Sequence, residues 1–166
     1  MTPQRQLYRD VRQGGHGDCH RTCIAMILDM DRDDVPHFME HCAPGLPADH
    51  PDSIAAEEAE RAWLAQRGLA PVSVPFSGDM PLDQLVEQFR RTARGSAVIL
   101  GCTSSSGGNH SVVLHDGQIH NPNYSEVVGP MLDGMWWVTV LAASTAPLHD
   151  GAPPASVATQ EEQSDV

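Results

Sequence analysis

The sequence has no lysine: its ten basic residues are all arginines, set against 22 acidic residues, for a formal charge of -12 over 166 residues. That shortage of positive charge argues against a nucleic-acid partner, because neutralising phosphates needs a basic patch. It also excludes a P-loop. The stretch Ser104-Ser105-Ser106-Gly107-Gly108-Asn109-His110 is glycine-rich but has neither the lysine nor the following Ser/Thr that would hold phosphates and magnesium. No apolar run approaches the ~18 residues that span a bilayer. The opening MTPQRQLYRDVRQGG lacks the apolar stretch of a signal peptide, so the expectation is a cytoplasmic chain with no membrane partner. Its four cysteines sit at irregular spacings, which fits free thiols or ligands better than a disulfide frame.

What is present is enough for one hydrophobic core, with 40% apolar residues. After a glycine-rich approach through Gln13-Gly14-Gly15-His16-Gly17, the periodicity becomes helical: Cys19, Cys23, Ile24, Ile27 and Leu28 share a face, and Asp18 is placed to cap it. The aspartates of 29–34 should end that helix, and Pro36 in a first turn suggests a short second one. Ser53 is expected to cap a helix running to Arg67, with Ala55, Ala59, Ala62 and Trp63 inward and Gly68 closing it. Val72–Val74 reads as a short strand. Leu82, Leu85, Val86 and Phe89 mark a helix over about 81–94, with Arg90, Arg91 and Arg94 at its favourable end.

Strands follow at 97–101, 111–115, 119–121 and 136–141. Residues 144–166 are Ala, Pro, Ser and acids without an arginine, and are expected to be a disordered acidic tail to a domain spanning 1–143. Helices first and strands later give an α+β class, with N-terminal helices on a small C-terminal antiparallel sheet. The acids of 29–60 are read as solvated surface and helix-start charge. Of Trp136 and Trp137, adjacent in a strand, one can face the core.

A thiol site emerges from this layout. Cys19 opens a helix after a Gly-Asp turn, where unpaired backbone N–H groups favour a thiolate and can hold a developing oxyanion. Gln13 can supply a second donor if the glycine turn folds back. Asp116-Gly117 predicts a two-residue hairpin that pairs His115 with Gln118 and Val113 with His120. That register puts His110 diagonal to Asn121, on one face with Val112, Leu114 and Ile119, and His120 on the other. Asn121 is then expected to take the Nδ1 proton of His110, leaving Nε2 as the base for the thiol.

The stretch Gln13–Cys19, the run Asn109-His110-Ser111-Val112-Val113 and the run Ile119-His120-Asn121-Pro122 resemble the papain-like cysteine peptidase superfamily, nearest in look to the compact bacterial and phage proteins of the peptidase C39-like kind. The resemblance covers roughly residues 10–141. It implies a papain-like fold, Cys19 as nucleophile, His110 as base and acid, Asn121 as the orienting residue and Gln13 at the oxyanion. The implied activity is acyl transfer through a thioester, foremost hydrolysis of a peptide or isopeptide bond in a peptide or protein substrate, without a cofactor. Two departures stand out. Papain itself has an aromatic residue after the cysteine, where this chain has His20, and only 91 residues separate Cys19 from His110.

Two other readings remain open at this level. His16, Cys19, His20 and Cys23 form an H-x2-C-H-x2-C cluster whose ligand types suit zinc. A papain-like shell without catalysis, serving as a binding domain, is the other.

Overall fold

The run from Cys19 to Leu28 forms α1, and its middle, Thr22 to Met26, is buried on every side. The sequence stops it as expected. Asp29 takes the left-handed conformation at φ 56°, and the Met30 N–H turns back to the Ala25 carbonyl. In this computed structural model residues 1–6, 17–43 and 45–144 are described. Gln13, His16 and the expected tail beyond Ser144 lie outside the described residues.

No helix opens at Pro36. A 3-10 turn forms earlier, at Arg32–Asp34, where the Asp31 side chain accepts from the Asp33 N–H and Val35 leaves in extended conformation to plug the core. Helix α2 spans Pro51–Ala65, capped by His50 and not by Ser53. Its inner residues are Ala56 and Leu64, with Glu60 and Trp63 half-buried beside them, whereas Ala55, Ala59 and Ala62 face solvent. Alanines give a weak facial signal; Leu64, fully buried, decides the orientation. Gly68 closes the turn at φ +69°, a conformation open to glycine at little cost.

Strand β1, Leu69–Ser77, is longer than Val72–Val74 because Pro71 and Pro75 are tolerated where a strand lies at a sheet edge. Helix α3, Leu82–Thr92, buries Leu85 and half-buries Leu82, Val86 and Phe89, as the periodicity predicts. Strands β2 (Ala97–Ser104), β3 (Asn109–His115), β4 (Gln118–His120), β5 (Val127–Gly129) and β6 (Met135–Ala143) complete the chain. They form one open antiparallel sheet in the order β1-β6-β2-β3-β4, with β5 on β2. The class is α+β. The sheet is not wholly C-terminal, since β1 precedes α3.

Strand alternation sorts the core into two layers. Ile99 and Val113 turn toward α1, Val35 and Leu64. Val98, Leu100, Val112, Leu114, Trp136 and Val138 turn toward Leu85 of α3. Of the tryptophan pair, Trp136 is the buried one, its indole N–H donating to the Met80 carbonyl at 3.0 Å. Each fully buried leucine or isoleucine in these layers contributes ~1.5–3 kcal/mol relative to exposure. None of the described helices is long and apolar enough to cross a membrane.

Candidate active site

The hairpin forms in the register the sequence predicts: His115 pairs with Gln118, Leu114 with Ile119 and Val113 with His120. Asp116 and Gly117 take φ 48° and 78°, the two positive angles a tight β-turn of this type demands. His110 enters at the head of β3, 5% exposed, and Asn121 follows β4. Their side chains meet at 2.9 Å.

The nitrogen that meets Asn121 is Nε2, not Nδ1. The two residues are diagonal neighbours, so the ring must extend toward the amide and its far end makes the contact. The Asn121 amide has a fixed orientation. Its Nδ2 donates to the Ser125 carbonyl at 2.6 Å and its Oδ1 accepts from the Asn123 N–H at 2.8 Å. Oδ1 therefore faces His110, Nε2 must carry the hydrogen, and Nδ1 is left as the basic nitrogen. Nδ1 has no hydrogen bond to a described residue. Burial holds the imidazole below its ordinary titration range, and the bond to Asn121 offsets part of that.

Cys19 stands at the first residue of α1 and is half-buried, whereas the other cysteines among the described residues, Cys23, Cys42 and Cys102, are buried. The Cys19 sulfur faces the backbone N–H and hydroxyl of Ser111 and the N–H of His20. The thiol is nevertheless pushed up, chiefly by burial, with the neighbouring Asp18 carboxylate adding to it against the pull of those donors. The helix start does not lower it as the sequence suggests, because desolvation outweighs three hydrogen-bond donors. Among the described residues no hydrogen bond joins Cys19 directly to His110. Ser111, the residue after His110, makes the connection. Cys23 and Cys102 are pushed up by burial too, Cys102 to about 12.

Asp18 is not a side-chain cap. Fully buried, it is held by Arg21 at 3.2 Å and by Arg32 at 3.8 Å, while its carbonyl takes both the N–H and the hydroxyl of Thr22. This turn fixes where α1 starts, and so where the sulfur sits. Opposite it, Thr103 donates to the Pro130 carbonyl and the Asn109 amide oxygen takes the Leu132 N–H. Met131 packs over Gly101, where a side chain of any kind would meet its sulfur at 2.6 Å. The 130–134 loop is thereby pinned beside Ser111, the register partner of Gly101.

The feature that sequence reasoning missed is Glu60. It lies on the inner face of α2 and meets His20 Nε2 at 3.0 Å, while His20 Nδ1 lies 3.4 Å from the Ser111 hydroxyl. Its spacing from Ala56 and Leu64, four residues on either side, was the available signal. His20 is thus committed to a carboxylate. Among the described residues no group of three or more His, Cys, Asp or Glu side chains can hold a metal ion. Cys23 is fully buried, and His16 lies outside the described residues. No model of a known family, no curated protein and no solved structure matches this chain.

Proposed function

We propose that this chain is a papain-like thiol enzyme that transfers acyl groups through Cys19, foremost by hydrolysing a peptide or isopeptide bond. The observation that carries the reading is the His110–Asn121 pair at 2.9 Å, locked in the tautomer that leaves a basic nitrogen, with the next residue, Ser111, against the Cys19 sulfur. A structural histidine has no need of a neighbouring thiol at a helix start.

At rest the thiol and the imidazole are both neutral, since burial raises one and lowers the other. When a substrate carbonyl arrives, the sulfur attacks its carbon and the thiol proton passes to His110 Nδ1. The carbonyl oxygen takes the negative charge, held by the Cys19 backbone N–H and by Gln13. His110 then gives its proton to the leaving amine as the C–N bond breaks. Water, surrendering a proton to Nδ1, releases the acid and restores the thiol. Asn121 keeps the ring aligned throughout without adding a charge. Free thiols fit a reducing compartment such as the cytoplasm, and no cofactor enters the scheme. Hydrolysis or transfer at a glutamine side chain would use the same groups.

The test is alkylation of metal-free protein by iodoacetamide across pH 5–10, with each cysteine followed by mass spectrometry. Cys19 should react first, and His110→Ala should slow it while leaving the fold intact. Equal rates in the wild type and the variant would remove His110 from the chemistry. Survival of peptide turnover in Cys19→Ala would remove the thiol.

A further inference from the structure

The catalytic scheme makes no use of His20, although its ring lies against the hydroxyl of Ser111, the neighbour of the thiol. Three elements converge there. Glu60 comes from α2, His20 from α1 and Ser111 from β3, joined by contacts of 3.0 and 3.4 Å. The Ser111 hydroxyl in turn faces the Cys19 sulfur. A hydroxyl has one proton to give, so it cannot donate to both His20 and the sulfur.

We propose that Glu60 and His20 are positioning residues that turn the Ser111 hydroxyl proton onto the Cys19 sulfur. The inference rests on Cys19 being the reacting thiol. Glu60 accepts a hydrogen from His20 Nε2 whatever the charge of the ring. When the ring is neutral, Nδ1 is bare and draws the Ser111 proton toward itself, so the sulfur loses a donor. When the ring is charged, Nδ1–H donates to the Ser111 oxygen, and the hydroxyl proton is free to point at the sulfur. The thiolate then has the hydroxyl as well as the two backbone N–H groups.

The surroundings favour the charged ring. Burial opposes it, but the Glu60 carboxylate outweighs burial and holds His20 above its ordinary range. Glu60 is itself held low, against burial, by His20 and by Arg61. Among the described residues, other charged or titratable groups nearby include Asp18, Arg21 and Cys19 on its own turn, Arg61 beside Glu60, and His37, which lines the same small cavity as the ring. Asp18 and Arg21 pair with each other. As pH rises through the raised titration of His20, the donor to the sulfur is withdrawn.

The experiment measures the pH profile of Cys19 alkylation by iodoacetamide in the full chain. Ser111→Ala should slow it at pH 7 about fivefold, the fold-change of one lost hydrogen bond of ~1 kcal/mol. Ser111→Thr, which keeps the hydroxyl, should restore it. Glu60→Gln should slow the wild type by a similar factor yet leave Ser111→Ala unchanged, because both act through one proton. An unaltered profile in Ser111→Ala overturns the proposal, as does a Glu60→Gln effect of full size in its background. His110→Ala separates this proposal from the catalytic reading. If it slows alkylation while Ser111→Ala does nothing, the dyad stands and the hydroxyl has no role; the reverse pattern retains the hydroxyl and removes the dyad.

Discussion

Ser111 stands between two histidines, His110 before it on β3 and His20 against its hydroxyl, and the protein treats them in opposite ways. On the sheet side, His110 is 5% exposed and bonded to a neutral amide, so burial dominates and the ring is kept uncharged. On the helix side, His20 is bonded to a carboxylate that overcomes burial and favours the charged ring. The same side chain is kept neutral in one place and favoured in its charged form in the other, according to whether its partner is an amide or a carboxylate. A buried residue that flanks a thiol is therefore not a competitor for its proton by proximity; the partner on its other nitrogen decides.

The sharpest way to break this comparison is to remove each ring in turn. His110→Ala should lower turnover about a thousandfold, within the range for loss of a general acid–base group. His20→Ala should cost far less, at most about fivefold, since it can remove no more than the one hydroxyl hydrogen bond of ~1 kcal/mol and not the proton acceptor. Steady-state kinetics on a peptide mixture checks both. If His20→Ala proved the more damaging, the roles assigned to the two sides would have to be exchanged.

Asp18 is the next test, because it anchors the turn between the two sides. Asp18→Ala leaves Arg21 and Arg32 without their buried partner and should destabilise the fold by ~3–5 kcal/mol. Urea unfolding measures it, and a loss under ~1 kcal/mol would show that the pairs only decorate the turn.

Much of this arrangement was legible in the sequence, and the parts that were not have physical reasons. Asp116-Gly117 admits few turn geometries, so the register of β3 on β4, and with it the nearness of His110 to Asn121, followed from two residues. Leu82, Leu85, Val86 and Phe89 defined α3 because large apolar side chains can only bury one face. The alanines of α2 carried no such information, and Glu60 was hidden among acids that otherwise face solvent. Strand β5 was invisible because three residues with a shifted register on β2 leave no alternation to detect. The ring nitrogen of His110 was misassigned because sequence gives the diagonal but not the distance a side chain must bridge. The order of the strands, with β6 between β1 and β2, is set by long-range pairing that local patterns do not encode.

The comparison also predicts opposite signs in pH. Glu60 titrates low in the fold, so its contribution is present above the unfolded carboxylate's titration and is lost as pH falls through the lowered folded value. His20 titrates high, so its contribution is complete below the unfolded imidazole's titration and is lost as pH rises through the raised folded value. The pair therefore stabilises most between those limits. His110, held low, favours the fold above the unfolded imidazole's titration and loses that contribution as pH falls through its lowered folded value. Glu60→Gln should cost ~1–2 kcal/mol in the mildly acid range and much less at alkaline pH. Melting curves across pH give the result, and a cost that does not vary with pH would mean the pair is not ionised.

The smallest expected effect lies furthest from the thiol and concerns the sheet side alone. The first six residues cross from α1 to the Asn121 turn: Gln4 bonds the Met30 carbonyl and the Arg32 N–H, and Arg5 donates to the carbonyls of Asn121 and Asn123 at 3.1 and 3.2 Å. The Arg5 guanidinium also lies 4.4 Å from the centre of the Tyr124 ring. This strap holds the backbone on which Asn121 depends. Arg5→Ala should therefore cost only ~0.5–1 kcal/mol of stability, as for partly exposed hydrogen bonds. It should speed hydrogen exchange at the Asn123, Tyr124 and Ser125 amides, which close the turn through the side chains of Asn121 and Asn123. Alkylation of Cys19 should slow about twofold through a looser His110, a fraction of the ~1 kcal/mol that a whole hydrogen bond supplies. The effect of Glu60→Gln should be unchanged in that background, because the Arg5 guanidinium bonds the carbonyls of Asn121 and Asn123 and lies over the Tyr124 ring. If instead Arg5→Ala altered the Glu60→Gln effect, the sides would be coupled through α1, and the independence argued for the two histidines would fail.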